Sequence, residues 1–201
     1  MNTRSLLSIL ALLMVLLSFN CCNEDDPSPV KQDFPGIVFT DEYGQTLGTY
    51  GDEDDNDWKY DLAWKPNIYN LMNFNDSLDL SGTYLDSSYI PGPDQPEIPF
   101  TFFPNPVAAM ASVYIILPGQ IKVKLVMADA YLNPILTYSF KQSGTAWIWL
   151  NLEDPSRFIE GEVYRLYYTM SVEGNPDFYK GHGDILMCGD RPQNSCLRYI
   201  E

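Results

Sequence analysis

The chain has few of the residues on which metal, catalytic and nucleic-acid sites usually depend. It holds one histidine, His182, so a metal site built on histidine would lack further histidine ligands. Lysine and arginine number 12 against 27 acidic residues, and the net charge of −15 argues against a nucleic-acid partner. Neither a phosphate-binding glycine loop nor a serine or cysteine nucleophile motif appears. We therefore expect no enzymatic activity, no metal site and no cofactor.

Helical periodicity is also missing beyond the first twenty residues. Only 19% of the residues are charged, whereas 14% are aromatic, with 14 Tyr, 10 Phe and 4 Trp. Gly and Pro contribute 13 and 15 residues, which supplies many turns. Many aromatics and turn formers with few charges favour strands, so the composition predicts an all-β protein.

The N-terminus carries one positive charge at Arg4, followed by an apolar run over residues 6–19. Fourteen helical residues span roughly 21 Å, which is shorter than the hydrocarbon core of about 30 Å. A basic start, a short apolar core and small or polar residues after it are typical of a secretory signal. We predict a signal peptide over residues 1–21.

The end of this signal resembles the lipobox of bacterial lipoproteins. Phe19 stands three positions before Cys22, which the resemblance makes the lipidated N-terminus, and Cys21 is the alternative. The acidic residues 23–26 resemble the surface-export signal of Bacteroidota lipoproteins, although a solvated tether is an alternative for them. Residues 22–35 are predicted to form an acidic, flexible tether. The expected location is the outer membrane, lipid-anchored, at the cell surface.

The remaining two cysteines, Cys188 and Cys196, lie eight positions apart near the C-terminus. In an oxidising compartment such a pair most simply forms a disulfide. A loop of this length contributes roughly 2–3 kcal/mol in the entropic model. The alternative of a metal site lacks ligands, because His182 is the chain's one histidine.

About 180 residues follow the signal, enough for one ordinary domain or two small ones. Residues 36–98 are predicted to form an irregular segment that begins with a β-hairpin over residues 37–50. Prolines recur over residues 87–99 and predict an extended connector. Residues 99–201 are predicted to form a β-sandwich. Its six expected strands lie at residues 113–117, 121–127, 136–140, 146–152, 162–170 and 184–187.

Short motifs in residues 101–187 resemble the immunoglobulin-like C-terminal modules of Bacteroidota secreted proteins. Such modules include the sorting domain of type IX secretion and the Ig-like domain of flagellar hook-capping proteins. The motifs that carry the likeness are Phe103-Pro104-Asn105-Pro106-Val107, Leu117-Pro118-Gly119, Asp129-Ala130-Tyr131-Leu132-Asn133 and the segment from Gly161 to Leu166. The resemblance implies an Ig-like β-sandwich. The chain departs from a sorting domain because it carries a lipoprotein signal and lacks a basic final strand, so we interpret the module as a scaffold.

Three places are candidates for a ligand or a reaction. The acidic residues 52–57 suit calcium, but an EF-type loop would need glycine where Asp57 stands and glutamate where Ala63 stands, so a looser calcium site or a solvated loop remains. Glycines flank His182 and suggest a turn, and the adjacent Asp184 could orient its imidazole. Catalysis is nevertheless not expected there.

The third candidate is the pair Trp147 and Trp149, which alternate with the apolar residues of a predicted strand. Exposed indoles two residues apart can stack on sugar rings. Alternatively, this face packs on the N-terminal segment, whose Trp58 and Trp64 also need cover. The sequence therefore predicts a non-enzymatic envelope lipoprotein that acts as an interaction or scaffold module, with an envelope protein or glycan as partner. The second hypothesis is a surface module that binds glycans or peptides through exposed aromatics.

Overall fold

The computed structural model describes residues 31–52, 54–61, 63–89 and 98–189. Strands make up 54% of the structure and helix 4%, so the all-β prediction is confirmed. The predicted signal peptide, Cys21, Cys22 and Cys196 lie outside the described residues, as does most of the tether. Among the helices described, none is long and apolar enough to cross a membrane.

The predicted N-terminal hairpin is present. Strand β1 (Gly36–Thr40) pairs antiparallel with β2 (Thr46–Gly51). In the turn between them, Gly44 adopts a φ of 79°, a left-handed conformation that favours glycine. The Asp41 carboxylate accepts hydrogen bonds from the backbone N–H groups of Tyr43 and Gln45, both at 2.8 Å, and so fixes the turn.

The other six strands form one antiparallel sheet, and a short helix, α1 (Pro66–Leu71), precedes it. Strand β5 makes most of the pairings in this sheet, because β3, β4, β6 and β7 all pair with it. Strand β8 pairs with β7. The strands are β3 (Tyr84–Leu85), β4 (Phe100–Phe103), β5 (Met110–Ala128), β6 (Pro134–Asn151), β7 (Val163–Val172) and β8 (Asn175–Leu186).

In the structure, four of the predicted strands merge two by two into two long, bent strands. Residues 113–117 and 121–127 both belong to β5, and residues 136–140 and 146–152 fall in β6 apart from Leu152. The sequence signals of a turn at Pro118-Gly119 mark a bulge, since the register jumps between Leu117 and Ile121. A Cβ on Gly119 would lie 2.3 Å from the backbone oxygen of Tyr84, so β3 passes too close for a side chain. The bulge bends the strand without ending it.

The inner faces of the sheet enclose one main core. On β5, Ile121, Val123, Leu125 and Met127 are buried as the alternation predicts, and so are the alternate residues of β7 from Tyr164 to Met170. At the start of β7, the hydroxyl of Tyr164 donates to the backbone oxygen of Arg157 at 3.1 Å. It also accepts from the backbone N–H of Ile159 at 2.9 Å, so the side chain ties the strand to the preceding loop.

The N-terminal segment covers the outer face of β5 and β7. Trp64 packs edge-on against Tyr167 with a centroid distance of 5.6 Å. Farther along, the Asp76 carboxylate lies 2.9 Å from the ammonium groups of both Lys122 and Lys124 on β5. The described residues from Lys31 onward belong to one compact unit, and the predicted division at residues 98 and 99 stays a prediction within it.

Candidate functional site

Two tryptophans stand side by side on the outer face of β6. Its buried neighbours Ala146 and Leu150 point into the core, so the alternating Trp147 and Trp149 point outward. Trp147 is 53% exposed and Trp149 is 66% exposed. Side chains of this size bring a large apolar surface to solvent, which soluble proteins seldom leave in one place without a role.

The indole of Trp147 is held in position by two aromatic neighbours. Phe103 on β4 and Tyr114 on β5 each contact it edge-on, with centroid distances of 5.6 Å. Trp149 lies 6.1 Å from Trp147 with 33° between the ring planes. We call Trp147, Trp149 and Tyr114 the aromatic face. Packing restrains one indole and leaves the other open, as a preformed stacking surface requires.

In the part of the N-terminal segment that the structure describes, the alternative of packing on these tryptophans is not found, since Trp147 and Trp149 are 53% and 66% exposed. Trp58 instead stacks on Phe102 of β4, at 5.4 Å between centroids, and is part of the core contacts. Trp64 packs on Tyr167 on the outer face of β7. Both N-terminal tryptophans therefore pack elsewhere, and the described residues leave the aromatic face exposed.

A second cluster of functional groups lies beneath residues 54–61, which we call the strap. The strap runs along the edge of β8, where Trp58 N–H donates to the His182 backbone oxygen at 2.7 Å and Asp61 N–H donates to that of Lys180 at 2.9 Å.

The predicted turn at Gly181-His182-Gly183 is wrong, because these residues lie inside β8. A Cβ on Gly183 would lie 2.2 Å from the Trp58 ring, so the glycine makes room for the indole.

Beneath the strap is a buried ion pair. The guanidinium of Arg165 donates two hydrogen bonds, at 2.6 and 2.7 Å, to the carboxylate of Asp184, which is fully buried. Asp57 of the strap accepts from the Asp184 backbone N–H at 2.8 Å and from the Val38 backbone N–H at 3.2 Å. These bonds join the strap, β1 and β8.

His182 is buried between two carboxylates of the strap. Its Nδ1 lies 3.2 Å from Asp61 and its Nε2 lies 3.7 Å from Asp54. Burial, with the nearby Arg165, lowers the pKa of His182 and so favours the neutral imidazole, although the neighbouring carboxylates act against that shift. Asp184 does not orient the imidazole as expected, because its carboxylate is engaged by Arg165. At 5% exposure the ring offers no open face to a substrate.

Burial raises the pKa of two carboxyl groups in this cluster, those of Asp57 and Asp184. Burial, together with the charge of Asp184, raises the pKa of Asp57 to about 8. Burial also raises the pKa of Asp184, although Arg165 acts against that shift. The expectation of a solvated acidic loop is thus wrong in part, because Asp52 and Asp55 are exposed whereas Asp57 is buried. Within the described residues, no group of three or more His, Cys, Asp or Glu side chains could hold a metal ion.

Two cavities lie away from both clusters. One of about 480 Å³ is lined by Tyr131, Arg157 and Glu162 among others, and one of about 230 Å³ lies beside Phe158 and Glu160. Neither contains His182 or the tryptophans. Cys188 is buried at 1% exposure after the end of β8, and its predicted disulfide with Cys196 remains a prediction since that partner is not described.

Sequence reasoning identified Trp147, Trp149 and His182 but missed Arg165, and it placed Asp57 only in an acidic run that was either a loose calcium site or a solvated loop. No family model, curated protein or solved structure matches this chain. The geometry of its own residues therefore carries the functional argument.

Proposed function

We propose that this protein is a lipid-anchored, non-enzymatic binding module of the cell envelope, and that its aromatic face binds glycans. The observation that carries the proposal is the adjacent placement of Trp147 and Trp149, which are 53% and 66% exposed on one face of β6. Indoles supply a large, rigid contact area at a low cost in conformational entropy. The apolar C–H face of a pyranose ring can stack on such a surface.

The charge distribution favours a neutral glycan over an anionic one. The chain carries a net charge of −15. Residues 142–152, which include both tryptophans, contain no charged residue. An acidic polymer would be repelled by the protein as a whole and would find no cation in that segment to attract it. A neutral sugar does not meet that barrier.

The burial of His182 supports the non-enzymatic part of the proposal. A reacting group must be reached by its substrate, and the strap covers this imidazole on both nitrogen atoms. The cavity residues Tyr131, Arg157 and Glu162 lie in the connections on either side of β6, and His182 does not line that cavity.

We also propose that the scaffold is an Ig-like sandwich. Tyr164 supports this assignment, because its hydroxyl bonds to the backbone of Arg157 and Ile159 from the start of β7. This is the arrangement of the tyrosine corner found in Ig-like domains. The Phe103-Pro104-Asn105-Pro106 motif also joins β1 to β8. The side-chain amide of Asn105 donates to the backbone oxygens of Val38 and Asp184, both at 2.8 Å.

Glycan binding is tested by affinity electrophoresis of the purified protein through gels that contain neutral polysaccharides of different linkage. We expect at least one polysaccharide to retard the wild type, and Trp149→Ala to weaken that binding at least tenfold, about 1.4 kcal/mol. Tyr84→Ala is the matched control, since Tyr84 is 60% exposed on β3 outside the aromatic face. Equal binding by wild type and Trp149→Ala would remove the proposal.

Location is tested separately by protease shaving of intact cells. We expect the wild type to be cleaved, and variants with Cys22→Ala or with neutralised residues 23–26 to be protected or lost from the membrane. Cleavage only after the outer membrane is opened would place the protein in the periplasm and contradict surface exposure.

A further inference from the structure

Along the aromatic face, strand β6 is an edge strand of the sheet that the structure describes. On one side it pairs with β5 from Met110↔Asn151 to Leu117↔Gly144, without a register shift in this stretch. No other strand of the described residues pairs with its opposite side. An edge strand exposes a row of unpaired N–H and C=O groups that another strand can bind.

The direction of the free hydrogen-bonding groups follows from one contact. The backbone N–H of Leu152 donates to the backbone oxygen of Ala109 at 2.7 Å, toward the β5 side. Alternate residues of a strand point their backbone groups the same way, so Leu150 and Ile148 also face β5. The backbone groups of Trp147 and Trp149 therefore point to the open edge.

This edge lacks the features with which proteins usually protect themselves from strand pairing. Residues 142–152 contain no Lys, Arg, Asp, Glu or Pro. The nearest charges are Lys141 before the segment and Glu153 after it. The edge is instead aromatic and β-branched, which are the side chains that favour cross-strand pairs.

The spacing of the two tryptophans makes the edge complementary to itself. Consider a second copy of the chain laid antiparallel along it, with a two-fold axis at Ile148. Trp147 then lies opposite Trp149 of the second copy, and Trp149 lies opposite its Trp147. Both tryptophans have backbone groups that point outward, so each such pair exchanges two hydrogen bonds. Thr145 lies opposite Asn151 in the same register.

We propose that β6 is a dimerisation edge, along which two copies of this chain join antiparallel about Ile148 to make one continuous sheet. Aromatic pairs directly opposite each other on neighbouring strands stabilise the pairing. The two-fold arrangement is isologous, so it closes at two copies. It places four indoles side by side, two on each of the neighbouring strands, on one face of the joined sheet. The proposal does not rest on glycan binding.

Cysteine cross-linking in membranes of cells that express the full chain tests the register. At the axis, Ile148→Cys would face its own copy as a non-hydrogen-bonded pair, with Cα atoms about 4.5 Å apart, which a disulfide can span. Thr145→Cys is the matched control on the same strand, because its two copies would be separated by six residues, about 20 Å. With copper phenanthroline as oxidant, we expect a product of twice the chain mass from Ile148→Cys at more than ten times the yield from Thr145→Cys.

A second set of variants separates pairing in this register from chance contact between the Ile148→Cys thiols, and it keeps both tryptophans. Thr145 and Asn151 are exposed and lie opposite each other across the axis. In the Ile148→Cys background, Thr145→Lys with Asn151→Lys opposes like charges, and we expect at least a tenfold loss of the cross-link. Thr145→Lys with Asn151→Glu opposes unlike charges and should keep it. Equal yields from these two variants, or a product whose mass differs from twice the chain, would overturn the proposal.

Discussion

Arg165 and Asp184 form a two-point ion pair that joins neighbouring strands beneath the strap, with N–O distances of 2.6 and 2.7 Å. Their residues are direct partners in the β7–β8 ladder. Because the Asp184 carboxylate is fully buried, removing its partner leaves a charge without compensation.

We expect Arg165→Ala to lower the free energy of unfolding by about 3–5 kcal/mol. Urea denaturation followed by tryptophan fluorescence measures the change. Lys141→Ala is the control, since Lys141 pairs with Asp79, whose side chain is 78% exposed, and such pairs contribute little. Similar losses in the two variants would show that the Arg165 pair is no stronger than a surface contact.

The pH dependence of stability should report on Asp57. Its pKa of about 8 in the folded protein lies above the ordinary value of 3.8, so the folded state binds the extra proton between those pH values. Stability from this group is therefore largest at low pH and falls as pH rises toward 8, with a limiting slope of about 1.4 kcal/mol per pH unit.

Asp57→Asn removes that titration, and we expect its free energy of unfolding to change less between pH 5 and pH 8 than that of the wild type. Asp76 supplies a control of opposite sign. Burial raises the pKa of Asp76, but hydrogen bonds from Lys122 and Lys124 outweigh that effect and lower the pKa to about 2. The contribution of Asp76 to stability is therefore lost only in acid, between about pH 4 and pH 2. Parallel pH curves for wild type and Asp57→Asn would contradict the assignment.

The sequence predicted the parts of the fold that repeat with period two. The alternation of Ile121, Val123, Leu125 and Met127 identified the core face of β5, and the outward direction of Trp147 and Trp149 followed from the same rule. The ends of strands were harder to predict from the sequence, because Pro118 and Gly119 mark a turn in most contexts and a bulge in this one.

The strap was not predicted because its contacts join residues that are far apart in the chain. Asp57 meets the Asp184 backbone across 127 positions, which no local pattern records. A weaker signal was present: Gly181 and Gly183 are two residues apart, as same-face residues of a strand are. Glycine on one face of a strand indicates close approach of another group, in this case Tyr168 and Trp58.

That close approach leads to a prediction for Gly183. A methyl group there would meet the Trp58 ring, so we expect Gly183→Ala to destabilise the protein by about 1–3 kcal/mol. Trp58→Ala removes the obstacle, and the added cost of Gly183→Ala in that background should be much smaller. A double-mutant cycle by denaturation measures the coupling, and additive losses would show that the two residues do not collide.

Stability measurements can also separate a ligand-binding tryptophan from a structural one. Trp149 is 66% exposed, and its ring contact is with Trp147, so Trp149→Ala should change the free energy of unfolding by less than about 0.5 kcal/mol. Trp147 contacts Phe103 and Tyr114 edge-on, and we expect Trp147→Ala to cost roughly 1–2 kcal/mol. When a residue that serves binding is truncated, the affinity for the ligand falls while the free energy of unfolding changes little. This is the behaviour that we expect of Trp149. If instead Trp149→Ala unfolded the protein as readily as Trp147→Ala, its exposed indole would have a structural role, and loss of glycan binding in that variant could not be assigned to lost stacking.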